Sequence, residues 1–198
     1  MLNTLDKLSK AFRNHINKEY KKHIQYGDCN SKFNIRSGMS LINCYKGYDW
    51  TDFKFGLDCY DLTRVCPDLN YYKMRIPVTY DNDIFDMYII KWDPKSYSRV
   101  HFHSDYGCIM KVLCGELQEK RYILGNDNLD LHKSSWIYKN KTYNMGHYHT
   151  SYIDNEIGSH KIINPTNEST YSLHIYGFPN VLRKHKYLDS NQLLFQKI

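Results

Sequence analysis

No two of the six cysteines (Cys29, Cys44, Cys59, Cys66, Cys108 and Cys114) are spaced as CxxC. No apolar leader opens the chain, because Asp6, Lys7 and Lys10 interrupt the N-terminus. No stretch approaches the roughly 20 apolar residues that cross a bilayer. The expectation is a cytoplasmic protein with reduced thiols and no membrane partner. A Gly-rich phosphate loop, a C2H2 finger pattern, an internal repeat and a low-complexity linker are all missing. The net charge of +6 is scattered over residues such as Lys7, Lys10, Arg13, Arg183 and Lys184. Spread in this way it reads as a solvated surface, and no nucleic-acid partner is expected.

The 198 residues suffice for one compact domain with a core that needs no disulfide staples. Residues 1–70 are expected to form a helical arm packed on a β-barrel of residues 71–198. Leu2, Leu5, Leu8, Phe12, Ile16, Tyr20 and Ile24 recur at three- and four-residue steps, which predicts a helix over 2–24. The breaker-rich GDCNSKFNIRSG (27–38) closes that arm, and one or two short helices follow around Trp50 and Phe53. From residue 71 the texture turns to short strands punctuated by Gly, Asn and Asp: 71–80, 84–92, 98–103, 108–124, then SSWIYK, SYI, HKIIN and YSLHIYG. This spacing predicts a mainly β fold, a sandwich or barrel.

His101 and His103 stand two apart in HFHSDYGCIMKVLCG, so on a strand both imidazoles face one way. The pair is followed by a turn, Cys108 and Gly115. This matches the first motif of the cupin barrels, H-x-H, E, six residues, G, with Cys108 where the glutamate stands. His160 with Asn164 matches the second motif, H-x3-N. A second H-x-H, His147 and His149, lacks such a tail and reads as surface or supporting histidine. Three neutral imidazoles would leave a divalent ion's charge uncompensated and favour an anionic ligand such as a thiolate; ligand types alone leave zinc possible beside iron. In YSLHIYG, Ser172, His174 and Tyr176 share one face and Tyr171, Leu173 and Ile175 the other. The polar row either lines a metal cavity or is the solvated side of an edge strand.

Together these residues resemble the type I cysteine dioxygenase family. The resemblance rests on Cys108 in the glutamate position, His160 in YIDNEIGSHKIIN, the strand SLHIY, and the spacing of Arg75 and Trp92 ahead of the H-x-H pair; it covers about residues 72–179. It implies a cupin (jelly-roll-like) β-barrel with an N-terminal α-helical arm; a monomer is expected. It further implies that His101, His103 and His160 hold iron(II), Fe(II), and that Arg75 pairs with a substrate carboxylate. Tyr176 and Cys108 would join in a thioether cross-link, and Ser172 and His174 would order the tyrosine. Tyr176 would also reach the substrate. The implied reaction adds both atoms of O2 to the thiol of L-cysteine, giving cysteine sulfinic acid. Two alternatives are dioxygenation of another small carboxylated thiol, 3-mercaptopropionate, and a non-catalytic metal-binding cupin. The chain departs from the family pattern at Lys73, where a tyrosine often stands, at Lys95, where the first motif usually opens with glycine, and in NVLRKHK after the distal tyrosine.

Overall fold

Helical periodicity at the front of the chain becomes a helix whose apolar stripe is spent on a sheet. The computed structural model describes residues 2–26, 35–55, 63–64, 70–76, 85–103, 107–124 and 136–177. In it α1 (Leu5–Tyr26) buries Leu5, Leu8 and Phe12, followed by α2 (Ile35–Cys44) and α3 (Trp50–Phe55). The first turn of α1 is capped from afar: the Leu5 N–H donates to Asp49 Oδ2 at 2.7 Å, and Asp49 Oδ1 accepts from the Tyr45 hydroxyl at 2.6 Å. α2 begins inside the segment expected to be a breaker, so the break after α1 is shorter than 27–38; residues 27–34 lie outside the described residues.

The strands are β1 (Thr63–Arg64), β2 (Tyr71–Arg75), β3 (Phe85–Trp92), β4 (Cys108–Cys114), β5 (Leu117–Leu124), β6 (Trp136–Met145), β7 (Thr150–Ile153), β8 (Ser159–Ile163) and β9 (Thr170–Gly177). They form an antiparallel sheet in the order β1-β2-β3-β9-β4-β7 and a second in the order β6-β5-β8. Alternation divides the larger sheet between two cores. Met87, Ile89, Ile109, Leu113, Leu173 and Ile175 pack with Leu5, Leu8, Phe12 and Ile42 of the helices. Ile90, Trp92, Met110 and Val112 pack with Leu117, Met145 and Ile162 of the smaller sheet. The result is a mainly β barrel with a helical arm on one wall, the expected class. β9 lies between β3 and β4, so the edge-strand reading of its polar row does not hold.

Two strand expectations are corrected. The run 108–124 is two strands in two sheets, because Gly115 takes φ +81° between them and a Cβ there would collide with Thr170 Oγ1. Residues 98–103 do not form a strand. His101 makes only an isolated bridge, exchanging backbone bonds with His160 at 3.0 and 3.2 Å, while the Ser98 hydroxyl oxygen takes the Ile162 N–H at 2.9 Å and interrupts the ladder. Lys95 occupies the left-handed region at φ +61°, a conformation that costs an L-residue about 1–2 kcal/mol. The family's glycine fits that backbone, and here Lys95 Nζ instead donates to the Pro165 carbonyl at 2.7 Å. The turns at 81–83 and 125–128 and the segment NVLRKHK lie outside the described residues. Among the described residues no helix is long and apolar enough to cross a membrane.

Lys111 ties the arm to the barrel. It sits in the middle of β4, fully buried, and its Nζ donates to the carbonyls of Ile42, Asn43 and Tyr45 at 2.8, 3.3 and 2.6 Å. These acceptors cluster at the C-terminus of α2, where carbonyls lack intrahelical partners and the helix dipole is negative. Lys111→Met keeps the volume and leaves those acceptors dry. It is expected to lower stability by about 2–4 kcal/mol and to release the arm to proteolysis before the barrel. Urea unfolding with limited proteolysis checks this, and a wild-type midpoint would contradict it.

Candidate metal centre

Three imidazoles from two segments converge. His101 and His103 come from the stretch before β4, and His160 from β8, brought level by the His101–His160 backbone bridge. His160 Nε2 lies 2.8 Å from His103 Nε2 and 3.2 Å from His101 Nε2. Nitrogens bound to one ion at about 2.1 Å and at right angles stand about 3 Å apart, so the triangle fits a metal. Among the described residues these three are the group that could hold one, with no carboxylate or thiol in it.

The outer bonds of the rings decide which nitrogen faces inward. His160 Nδ1–H donates to Glu119 Oε1 at 2.8 Å, and His101 Nδ1–H donates to the Arg99 carbonyl at 2.9 Å, so in both rings Nε2 keeps its lone pair for the centre. Glu119 Oε2 accepts from Ser151 Oγ at 2.7 Å and from Arg121 at 3.1 Å; Arg121 also reaches the Tyr152 carbonyl at 3.0 Å. Burial alone would raise the Glu119 carboxyl, but the bond to His160, the charge of Arg121 and the Ser151 hydroxyl outweigh it and bring its pKa down to about 2. Burial, then the His160 ring, pushes His101 down to about 4, and burial with the neighbouring rings pushes His103 well below its ordinary value. His101 and His103 are therefore neutral at pH 7. Glu119, the carboxylate that the described residues bring to the triad, is one bond removed from the centre and paired with Arg121.

The polar row of β9 faces the same interior. Trp92 Nε1–H donates to Ser172 Oγ at 2.8 Å, which leaves the serine proton for His174 Nε2 at 2.9 Å. His174 Nδ1 then faces Cys108 Sγ at 3.7 Å. Burial first, with Lys73 next, holds His174 neutral. Cys108 stands directly opposite Tyr176 across β4 and β9. Burial pushes the Cys108 thiol up to about 12 and raises the Tyr176 phenol well above its usual range, so both keep their protons. The Tyr176 ring stacks between His103 and His174, with centroids 5.9 and 6.0 Å away.

The Arg75 guanidinium, inferred from the resemblance to meet a substrate carboxylate, pairs with Asp86 on β3 in the protein alone. Lys73, two residues earlier on the same face of β2, places its ammonium 3.9 Å from the Tyr88 ring centre and 4.1 Å from that of Tyr176. His147 and His149 are exposed, away from the triad, consistent with their surface reading. Asn164 of the second motif acts as a structural tie: its amide donates to the carbonyls of Trp92, Asp93 and Glu168 at 3.1, 3.0 and 2.7 Å, and is fully buried.

Sequence reasoning missed Glu119, Arg121 and Ser151. The signal was the alternation in LQEKR, which puts Leu117, Glu119 and Arg121 on one face, and Leu117 is plainly core. Outer partners of this kind typically tune metal affinity by about 10–100-fold. Glu119→Gln is therefore expected to weaken metal binding by about that factor, measured by competition with a chelator. An unchanged affinity would remove Glu119 from the site.

A family model described as cysteine dioxygenase type I matches residues 31–189. Cysteine dioxygenase type 1 of Rattus norvegicus is 29% identical over 110 residues, covering 55% of this chain and 52% of that protein. The Danio rerio protein of the same name is 27% identical over 150 residues, covering 74% and 66%. The match to the rat protein thus spans about half its length. Among solved structures, an oxalate oxidase in complex with glycolate has a TM-score of 0.42 at 18% identity, covering 59% of this chain and 55% of that one. The Schizosaccharomyces pombe Cnp3 cupin domain has a TM-score of 0.45 at 9% identity, covering 68% and 80%. With a family match that runs from the helical arm past the last described strand and takes in all three converging imidazoles, the chain belongs to the cysteine dioxygenase type I family of the cupin superfamily.

Proposed function

We propose that this chain is an iron(II) thiol dioxygenase that converts L-cysteine to cysteine sulfinic acid. One observation carries the reading. Among the described residues the donor set is three imidazoles with no carboxylate or thiol in it, and the carboxylate that bonds His160 is itself paired with Arg121. A divalent ion held there keeps its full charge and draws an anionic ligand, which a substrate thiolate supplies. Iron suits imidazole donors and, when bound, supplies the redox chemistry that joins dioxygen to sulfur. The overall reaction, RSH + O2 → RSO2H, balances without another reductant.

The protein's part is orientation, charge and dryness. His101, His103 and His160 hold the ion. Ile90, Met110 and Val112 pack with Trp92 and Ile162 as one apolar wall of the barrel interior, which would limit water around a bound thiolate. Tyr176 remains a phenol and offers its hydrogen to the substrate or to dioxygen. Trp92, Ser172 and His174 run as a hydrogen-bonded row that fixes the Cys108 thiol beside it. With Arg75 paired to Asp86, Lys73 leaves this stretch of β2 with a net cation, which suits a thiol carrying a carboxylate over one lacking it.

The cross-strand placement of Cys108 and Tyr176 also supports a thioether between Sγ and the tyrosine ring. Its formation removes two hydrogens and two electrons, which dioxygen accepts. Intact mass after aerobic turnover is expected to fall by two hydrogens, and the Cys108→Ser variant should show no such change while retaining part of its activity. A wild-type mass that never changes would remove the cross-link from the account. The function itself is tested by oxygen uptake of anaerobically purified, iron(II)-loaded protein. L-Cysteine should be consumed faster than 3-mercaptopropionate or cysteamine, with one O2 used per sulfinate. Preference for mercaptopropionate would change the substrate, and absence of thiol-dependent uptake would end the dioxygenase reading.

A further inference from the structure

Lys73 is the departure from the family pattern that the structure turns toward the centre. β2 alternates, so Tyr71, Lys73 and Arg75 share a face. That face is the interior one, since Tyr71 stacks on Trp92 with ring centres 4.7 Å apart and Trp92 bonds Ser172. The Lys73 ammonium lies over two aromatic faces, Tyr88 at 3.9 Å and Tyr176 at 4.1 Å. The Tyr88 and Tyr176 rings meet edge to face at 5.6 Å and form a corner around it. Tyr176 in turn stacks on His103, so one ring separates the cation from a metal ligand.

The two cations of β2 differ in what they already hold. Arg75 is engaged with the Asp86 carboxylate. Among the described residues no carboxylate or carbonyl is bonded to Lys73 Nζ; its contacts are the quadrupoles of two rings. Burial disfavours the charge and lowers the lysine's pKa, with Asp86 and Cys108 acting the other way. A sheltered cation whose partners are π faces retains three N–H donors for an anion, and a carboxylate entering beside Tyr176 would supply the missing acceptor. The corner also limits size, because Tyr88 and Tyr176 close two sides of it.

Building on the thiol dioxygenase reading, we propose that Lys73 is the substrate-binding residue that receives the carboxylate of a small thiol acid. Arg75, matched by Asp86, braces the strand that presents it. Lys73 thereby sets the preference for carboxylated thiols over amine-only ones such as cysteamine.

Anaerobic calorimetry of the iron(II)-loaded protein with L-cysteine and with cysteamine tests this without turnover. Wild type is expected to bind L-cysteine at least about tenfold more tightly. Lys73→Met should cut L-cysteine affinity by about 10–100-fold, the size of a lost charge-assisted bond, and leave cysteamine within about twofold. Lys73→Arg should recover most of the loss, which a merely structural role would not predict. Arg75→Gln should cost L-cysteine less than Lys73→Met does. Metal content equal to wild type shows that each variant is folded at the site. Three results would overturn the proposal: no preference in wild type, a preference that survives Lys73→Met, or one that Arg75→Gln removes and Lys73→Met does not. A Lys73-dependent preference with no sulfinate formed under oxygen would instead retire the dioxygenase reading and leave the carboxylate assignment standing.

Discussion

The bond from His160 Nδ1 to Glu119 determines which nitrogen of that ring faces the other two imidazoles. An imidazole free to turn or to change tautomer could present N–H to the centre as easily as a lone pair. Glu119 removes that freedom, and Ser151 and Arg121 remove it from Glu119 in turn. The fold supplies each of these contacts by register. β5 pairs with β8 so that Arg121 lies opposite His160, β4 pairs with β7 to bring Ser151 alongside, and the single bridge between His101 and His160 levels the two ligand segments. The site is thus an outcome of strand pairing, with the ligands taken from two places in the sequence and the supporting side chains from two strands, β5 and β7.

The same arrangement decides the charge of the centre. Had Glu119 been a direct ligand, a bound divalent ion would have kept only part of its charge. One bond away and paired with Arg121, the carboxylate orients the ring and leaves the charge of the ion to be met by something that enters. On the far side of Tyr176 stands Lys73, also without an anionic partner among the described residues. With a divalent ion held by the triad, the interior would present two positive positions, the ion and Lys73, separated by aromatic rings. A thiol acid ionised at both ends complements that pattern, whereas a neutral or purely cationic ligand does not.

Much of this was legible in the chain. Period-two alternation in YSLHIYG separated the polar row from the apolar one, and the apolar row does pack against the helices. Three- and four-residue spacing located the face of α1 that buries Leu5, Leu8 and Phe12. The two histidine motifs were readable because their flanking Gly115 and Asn164 have backbone work to do: a positive φ in one case and three carbonyl contacts in the other. What escaped were polar residues inside strands that otherwise look amphipathic. Lys111 in CIMKVLC resembles an outward lysine, yet it points at the end of a helix that is distant in sequence. Glu119 and Arg121 resemble surface charges because their partners come from β7 and β8. Lys73 could not be assigned inward or outward without knowing that Tyr71 stacks on Trp92. In each case local pattern gives the face of a strand, and only tertiary pairing says what that face meets. Arg75 illustrates the limit of spacing: its position in the strand was inferable, its pairing with Asp86 was not.

The most direct measurement is X-ray absorption at the iron edge of anaerobic, iron(II)-loaded protein before and after addition of L-cysteine. The account predicts a first shell with the scattering pattern of three imidazoles before addition and one sulfur at bonding distance afterwards. A protein carboxylate in the first shell, fewer than three imidazoles, or a shell that gains no sulfur would contradict it.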